Sequence, residues 1–224
     1  NGTETWLDLI SPQVDSVWLN GSELKVSEVF DGTRIKLTNL KDKNTVQVKA
    51  NCSYMNTGEG LHRHIDPVDN EVYIYTQFEV ADSRRVFPVF EQPDIKGTLA
   101  LTVTAPSKWT LISNSPTPAS VKVNEEMSTW SFAVTPTMSS YLYALCAGPY
   151  FKKTDVYKGK FGTYPLAVFV RPSLSEFLDH EEIFEINYLS SFTSVRGPVD
   201  FNTYFLLTRK IKVKQKNHQN RIMF

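Results

Sequence analysis

The sequence predicts a mainly β fold, an antiparallel β-sandwich or saddle, followed by one amphipathic helix that opens a further domain. Three observations carry this prediction. Between residues 6 and 170, short runs of alternating apolar and polar residues recur, about ten of them. Turn-forming pairs such as Asn20-Gly21, Asp31-Gly32, Gln92-Pro93 and Gly148-Pro149 stand between the runs. Helical spacing is almost absent until residue 173. A period of two puts successive side chains on opposite faces of a strand. Many short strands at regular spacing, with turns between them, describe a sandwich of antiparallel sheets.

Taken in order, residues 6–10 alternate and Ser11-Pro12 stops them. Residues 17–19 form a second run, and Asn20-Gly21 behind it is a hairpin signal. Residues 34–40 and 45–54 come next, with Val46, Val48 and Ala50 facing one way and Gln47, Lys49 and Asn51 the other. Residues 57–60 are a loop with two glycines; no Lys-Ser/Thr pair and no helix follow, so it is not a phosphate loop. Residues 71–77 alternate cleanly, Val72, Ile74 and Thr76 against Tyr73, Tyr75 and Gln77, as a half-buried strand does. Further strands are expected over 98–103, 109–114, 129–134, 141–147 and 165–170, with a polar connector over 117–126. Then the period changes. Ser173 with Glu176 three residues on reads as a capping box. Leu174, Phe177, Leu178, Phe184, Tyr188 and Phe192 fall near helical spacing, which predicts a helix over 174–189. Residues 1–170 are therefore read as a β domain, 171–192 as the first helix of a second domain, and 193–224 as a divergent basic tail.

The 224 residues suffice for one large domain and a fraction of another, and 41% hydrophobic content suffices for a core. Six of the 24 basic residues and none of the 24 acidic ones lie beyond residue 200, so residues 1–200 carry a net −6 and the end of the chain is basic. Basic tails are common without a nucleic-acid role, so the lysines beyond residue 200 are weak support for a nucleic-acid partner and none is expected. No apolar run approaches the ~18 residues of a membrane span. Cys52 and Cys146 sit in apolar runs and read as reduced, buried thiols of a cytoplasmic protein. Sequons at Asn1, Asn20 and Asn51 matter only in a secreted protein. The first residue is Asn and no signal peptide is visible, which is expected of a chain that starts inside a longer protein or lacks its leader.

The strand over 71–77 delivers Gln77, Glu79, Asp82, Arg84 and Arg85 to one sheet end. By residue type alone that is more often a solvated loop than a binding site. Three separated blocks change the reading: Thr57-Gly58-Glu59-Gly60-Leu61-His62, Tyr75-Thr76-Gln77-Phe78-Glu79, and Arg84-Arg85-Val86-Phe87-Pro88 continuing to Gln92-Pro93-Asp94. In this order they resemble the N-terminal domain of the zinc aminopeptidase N family, the gluzincin metalloaminopeptidases, and in particular its actinobacterial branch. The resemblance runs from about residue 5 to 186 and fades beyond Asn187. A foreign or out-of-frame end, or a diverged tail, would account for the fading. In that family a Gln-x-Glu element at a strand end reaches the active-site cleft. Matched residue by residue, the resemblance implies that Glu79 binds the free α-amino group of a peptide and that Gln77 lines the pocket for its first side chain. Arg84 and Arg85 are expected to be structural partners of Asp82, Glu91 or Asp94.

Metalloprotease chemistry needs zinc ligands and a base, which on a helix read His-Glu-x-x-His because i and i+4 share a face. Of the four histidines, only His180 precedes a Glu, and residue 184 is Phe. His62 and His64 make half a metal site at most and are expected to be polar surface residues. The family's Gly-Ala-Met-Glu-Asn motif is absent too. The resemblance thus implies an N-terminal domain truncated before the zinc motif. It would anchor peptide N-termini in a zinc aminopeptidase whose metal this chain does not bind, and would itself lack catalytic residues. Two other readings stand beside it: a non-catalytic β-sandwich binding or adhesion module, and a fragment with no function of its own.

Overall fold

Every ladder of two or more residue pairs in this protein is antiparallel among the described residues. The structure, a computed structural model, describes residues 2–159 and 162–191, with side chains as far as Ile186. Near the N-terminus, β1 (Thr5–Asp8) pairs with β4 (Arg34–Leu37), and β2 (Gln13–Leu19) lies between β3 (Ser22–Leu24) and β5 (Val46–Asn51). The turn into β3 is Asn20-Gly21, both at positive φ (53° and 83°). Two such residues twist a two-residue loop in the same sense as its strands. Alternation sends Leu7, Val17, Ile35 and Leu37 inward, where with Leu9 they form a first core. Val14, Val46, Val48 and Ala50 pack on it, and a single helical turn, α1 (Val26–Val29), adds Val26 and Val29.

A second core lies between two further sheets. One is ordered β6 (Gly60–Ile65), β7 (Val72–Gln77), β12 (Leu145–Gly148), β9 (Thr110–Ser113). The other is ordered β10 (Val121–Lys122), β11 (Met127–Ser131), β8 (Thr102–Pro106). Ile74, Ala105, Leu111, Trp130, Phe132 and Ala147 meet between them. Leu111 is fully buried, so its truncation to Ala should cost about 2–5 kcal/mol. A long hairpin of β13 (Phe151–Gly159) and β14 (Gly162–Val170), nine residue pairs in register, then leads to α2 (His180–Ser191).

Several expectations need correction. Residues 60–65 and 151–159 are strands that alternation does not announce. Both are polar, with two histidines in β6 and three lysines in β13, and each is held by its ladder to an apolar neighbour. The run over 141–147 begins as a 3-10 turn at Ser140–Leu142 and becomes a strand only at Leu145. β7 is covered on both faces rather than one: Tyr73 is 2% exposed because Tyr150 packs edge-on against it at 5.1 Å. The helix also starts later than predicted. Residues Pro172–Phe177 form a 3-10 helix, and the α-helix begins at His180. Ser173 does not cap it, because its hydroxyl donates to the buried Asp66 carboxylate. The capping side chain is instead Asp179, whose carboxylate accepts the Glu182 amide at 3.2 Å. Phe184 and Leu178 carry the buried face of this segment. Tyr188, Phe192 and the tail over 193–224 lie outside the described side chains. No helix of the described residues is long and apolar enough to cross a membrane.

Candidate functional site

The β6–β7 hairpin has two contrasting ends. Its open end carries Gln77, the last residue of β7, paired across the ladder with Gly60. Below it, Thr76 is buried and accepts the Leu145 amide at 2.8 Å. Phe78 is 3% exposed and meets Phe87 edge-on at 5.7 Å. Exposure alternates around this anchor, with Gln77 half-buried and Glu79 in solvent. Among the described residues, neither the Gln77 amide nor the Glu79 carboxylate has a hydrogen-bond or ion-pair partner. Two polar groups are thus held free at the tip of a well-fixed strand.

The chain beyond Glu79 is pinned down. Asp82 donates its amide to the Phe78 carbonyl at 3.1 Å, and Ser83–Arg85 form a 3-10 turn. Ser83 is completely buried, with its hydroxyl 2.6 and 2.7 Å from the two Glu91 carboxylate oxygens. The same carboxylate accepts the Arg84 amide at 2.7 Å and the Ser140 hydroxyl at 3.0 Å. Arg85 pairs with Asp82 at 2.7 Å and reaches Glu59 at 3.9 Å. Arg85 therefore fills its expected structural role. Arg84 serves Glu91 through its backbone only; its Nε is buried without an acceptor among the described residues. Asp94 pairs with neither arginine.

Arg85 also explains Gly60. A Cβ on Gly60 would lie 3.2 Å from both Cβ and Cδ of Arg85, and its φ of +59° is in the left-handed region. Glycine is the residue that adopts that backbone without a Cβ clash. Next to it, the Gly58 amide donates to His62 Nδ1 at 3.0 Å. The His62 ring packs on Tyr75, its partner across the ladder, at 4.8 Å.

At the turn end of the hairpin, Asp66 is 1% exposed. Its carboxylate accepts the Val68 amide at 2.9 Å and the Ser173 hydroxyl, and pairs with Arg171 at 3.0 Å. Those contacts, the Ser173 hydrogen bond foremost, hold the Asp66 carboxyl below the usual range. Arg171 also reaches His64 Nε2 at 2.7 Å. Close by, Asp69 accepts the Tyr73 hydroxyl at 2.8 Å; burial first, and that bond next, push the phenol pKa up. Sequence reasoning misses this cluster. Its one local cue is the Asp66-Pro67 turn pair, and the decisive partner Ser173 lies 107 residues away.

Both histidines of β6 are thus occupied by polar neighbours, and His180 packs on Phe184 at 6.4 Å. No cluster of three or more His, Cys, Asp or Glu able to hold a metal occurs among the described residues. These residues do not fit a zinc ion. Both cysteines are free thiols; Cys146 is buried, which pushes its pKa up to about 12. An apolar groove of about 360 Å³ lies elsewhere, lined by Leu7, Val46, Val48, Phe90, Ile95 and Tyr143 among others, and neither Gln77 nor Glu79 borders it.

Comparison with known proteins bears on what this arrangement is for. Residues 33–142 match the family model for the Peptidase M1 N-terminal domain. Aminopeptidase N of Streptomyces lividans is 50% identical over 186 residues, which is 83% of this chain and 21% of that protein. Aminopeptidase N of Acetobacter pasteurianus is 36% identical over 129 residues, 56% of this chain and 35% of that protein. Tricorn protease-interacting factor F2 of Thermoplasma acidophilum is 30% identical over 152 residues, 68% of this chain and 19% of that protein. The chain thus spans from about a fifth to about a third of the length of these relatives. Among solved structures, Legionella pneumophila aminopeptidase A in complex with aspartic acid superposes with a TM-score of 0.69 at 21% identity, over 80% of this chain and 21% of that one. That likeness is one of fold.

Proposed function

Since this chain belongs to the peptidase M1 family, whose N-terminal domain it carries, we propose that its role is to anchor the amino end of a peptide substrate in an aminopeptidase. Glu79 takes the free α-ammonium and Gln77 lines the pocket for the first side chain. One observation supports this above the rest: the two side chains stand unpartnered, among the described residues, at the tip of a strand whose other residues are buried or paired. A carboxylate offers the ammonium a charge-assisted hydrogen bond, the stronger kind. An amide beside it supplies a donor and an acceptor without adding charge. Selectivity for chain ends follows, because an internal peptide bond has no ammonium to offer.

In this reading the zinc and the general base come from polypeptide other than the described residues, which hold no fitting cluster. The metal supplies an activated water when bound; Gln77 and Glu79 supply position. The 224-residue chain alone is expected to leave an amino-acid anilide intact even with added zinc, and turnover abolished by a chelator would contradict this. Free thiols at Cys52 and Cys146 support a cytoplasmic setting. The test of the anchoring role is a pair of peptides, one with a free amino terminus and one N-acetylated, titrated into isotope-labelled protein. Shifts at Gln77 and Glu79 with the free peptide alone are expected. Equal responses to both peptides would point to a binding module that does not read the amino end.

A further inference from the structure

The amide of Gly58 donates to His62 Nδ1, so that nitrogen carries a lone pair. A protonated imidazole donates from both nitrogens and cannot accept. We infer that His62 is a positioning residue: its neutral ring latches the 57–60 loop at Gly58 to the strand end that carries Gln77 and Glu79, and its protonation loosens the loop at Gly58 while its ends stay tied. The inference rests on the anchoring role proposed above for its consequence, though not for its geometry.

Met55, just before the loop, is fixed to β6 by backbone hydrogen bonds with Leu61 and Arg63, and three further ties hold the loop itself to this end of the hairpin. Gly60 pairs with Gln77 in the ladder. The Arg85 side chain lies across Gly60 and reaches back to Glu59. The His62–Gly58 hydrogen bond is the third, and the one that protonation of the imidazole removes. His62 shares its face with Tyr75 across the ladder, and Gln77 lies two residues further along the same strand. A change at the ring is therefore felt one side chain from the Gln77 amide. The titratable and charged groups around the ring are His64 on the same strand, Tyr75 on β7, Glu59 in the loop, and Arg85 with its partner Asp82 on the 3-10 turn. Burial first, and His64 second, hold the imidazole pKa below its ordinary value. The latch is accordingly closed at neutral pH and opens on acidification below the ordinary histidine range.

The experiment follows the Gly58 amide in the full 224-residue chain by hydrogen exchange and NMR from about pH 8 down to about pH 4, past the lower end of the span over which an ordinary histidine changes charge, after correction for intrinsic exchange. Wild type should lose about tenfold protection at Gly58, the order of one net hydrogen bond, with the midpoint at the His62 titration. The Gln77 side-chain amide should shift with the same midpoint. His62→Asn, whose carbonyl stands where Nδ1 stood, should keep Gly58 protected without a pH response. His62→Phe, which keeps the contact with Tyr75 but offers no acceptor, should leave Gly58 unprotected at every pH. Constant Gly58 protection through the His62 titration would overturn the latch, as would the same pH response in His62→Asn. Peptide binding in Glu79→Gln at neutral pH separates the two ideas. Unchanged binding there sinks the anchoring role and leaves the Gly58 result to judge the latch on its own.

Discussion

The two ends of the β6–β7 hairpin place polar groups under opposite conditions. At the turn end, Asp66 is removed from water and every contact it needs is made, by Val68, Ser173 and Arg171. At the open end, Glu79 is exposed and Gln77 half-buried, and neither is paired among the described residues. A buried, satisfied carboxylate specifies a fold, since losing one partner strands a charge. An unsatisfied one on a rigid support is available to a ligand at little cost in reorganisation. The same residue chemistry thus serves architecture at one end and stands open for the proposed recognition at the other, and the difference lies in who occupies the hydrogen bonds.

The contrast breaks most visibly at Asp66. Asp66→Ala should lower unfolding free energy by about 2–3 kcal/mol, because Ser173 and the partly exposed Arg171 lose a buried partner. Urea denaturation reads this directly. A loss below about 1 kcal/mol, the scale of an exposed pair, would place Asp66 with the surface carboxylates instead.

Gly60→Ala tests the support beneath the open end. The left-handed backbone and the 3.2 Å approach to Arg85 should together cost about 1–2 kcal/mol. Unchanged stability would mean that the loop shifts freely and does not brace Gln77.

Acid separates the two ends without mutation. The Asp66 carboxyl titrates below its unfolded value, about 3.9. A group depressed in the folded state contributes its full share above the unfolded pKa and loses it as pH falls through the folded one. Stability should therefore decline as pH drops below about 4, and Asp66→Asn should flatten much of that decline. An unaltered acid limb in Asp66→Asn would assign it to other carboxylates.

Glu79→Ala is the smallest expected change in stability, within about 0.5 kcal/mol, because nothing in the described fold leans on it. A larger loss would reveal a structural job and remove the contrast between the ends.

Legibility in the sequence divides along the same line. Strands with one apolar face, such as β5 with Val46, Val48 and Ala50 inward, declare themselves by alternation. β6 and β13 do not, because their ladders rather than their own residues decide their state. The helix start is misread because Ser173 looks like a cap locally but spends its hydroxyl on Asp66, 107 residues away. Gln77 and Glu79 are visible only through resemblance, since a polar pair at a strand end has no signature of its own. The Ser83–Glu91 anchor beneath them is invisible for the reason Asp66 is: satisfaction of a buried carboxylate is a three-dimensional property.

The most direct test of peptide anchoring is kinetic and needs the complete polypeptide in which this domain functions. Glu79→Ala there should lower kcat/KM on a peptide with a free amino terminus about a hundredfold, as expected when one partner of a buried charge pair is removed, with the melting temperature unchanged. Full activity in a folded Glu79→Ala protein would contradict the claim that this strand end holds the substrate's amino group.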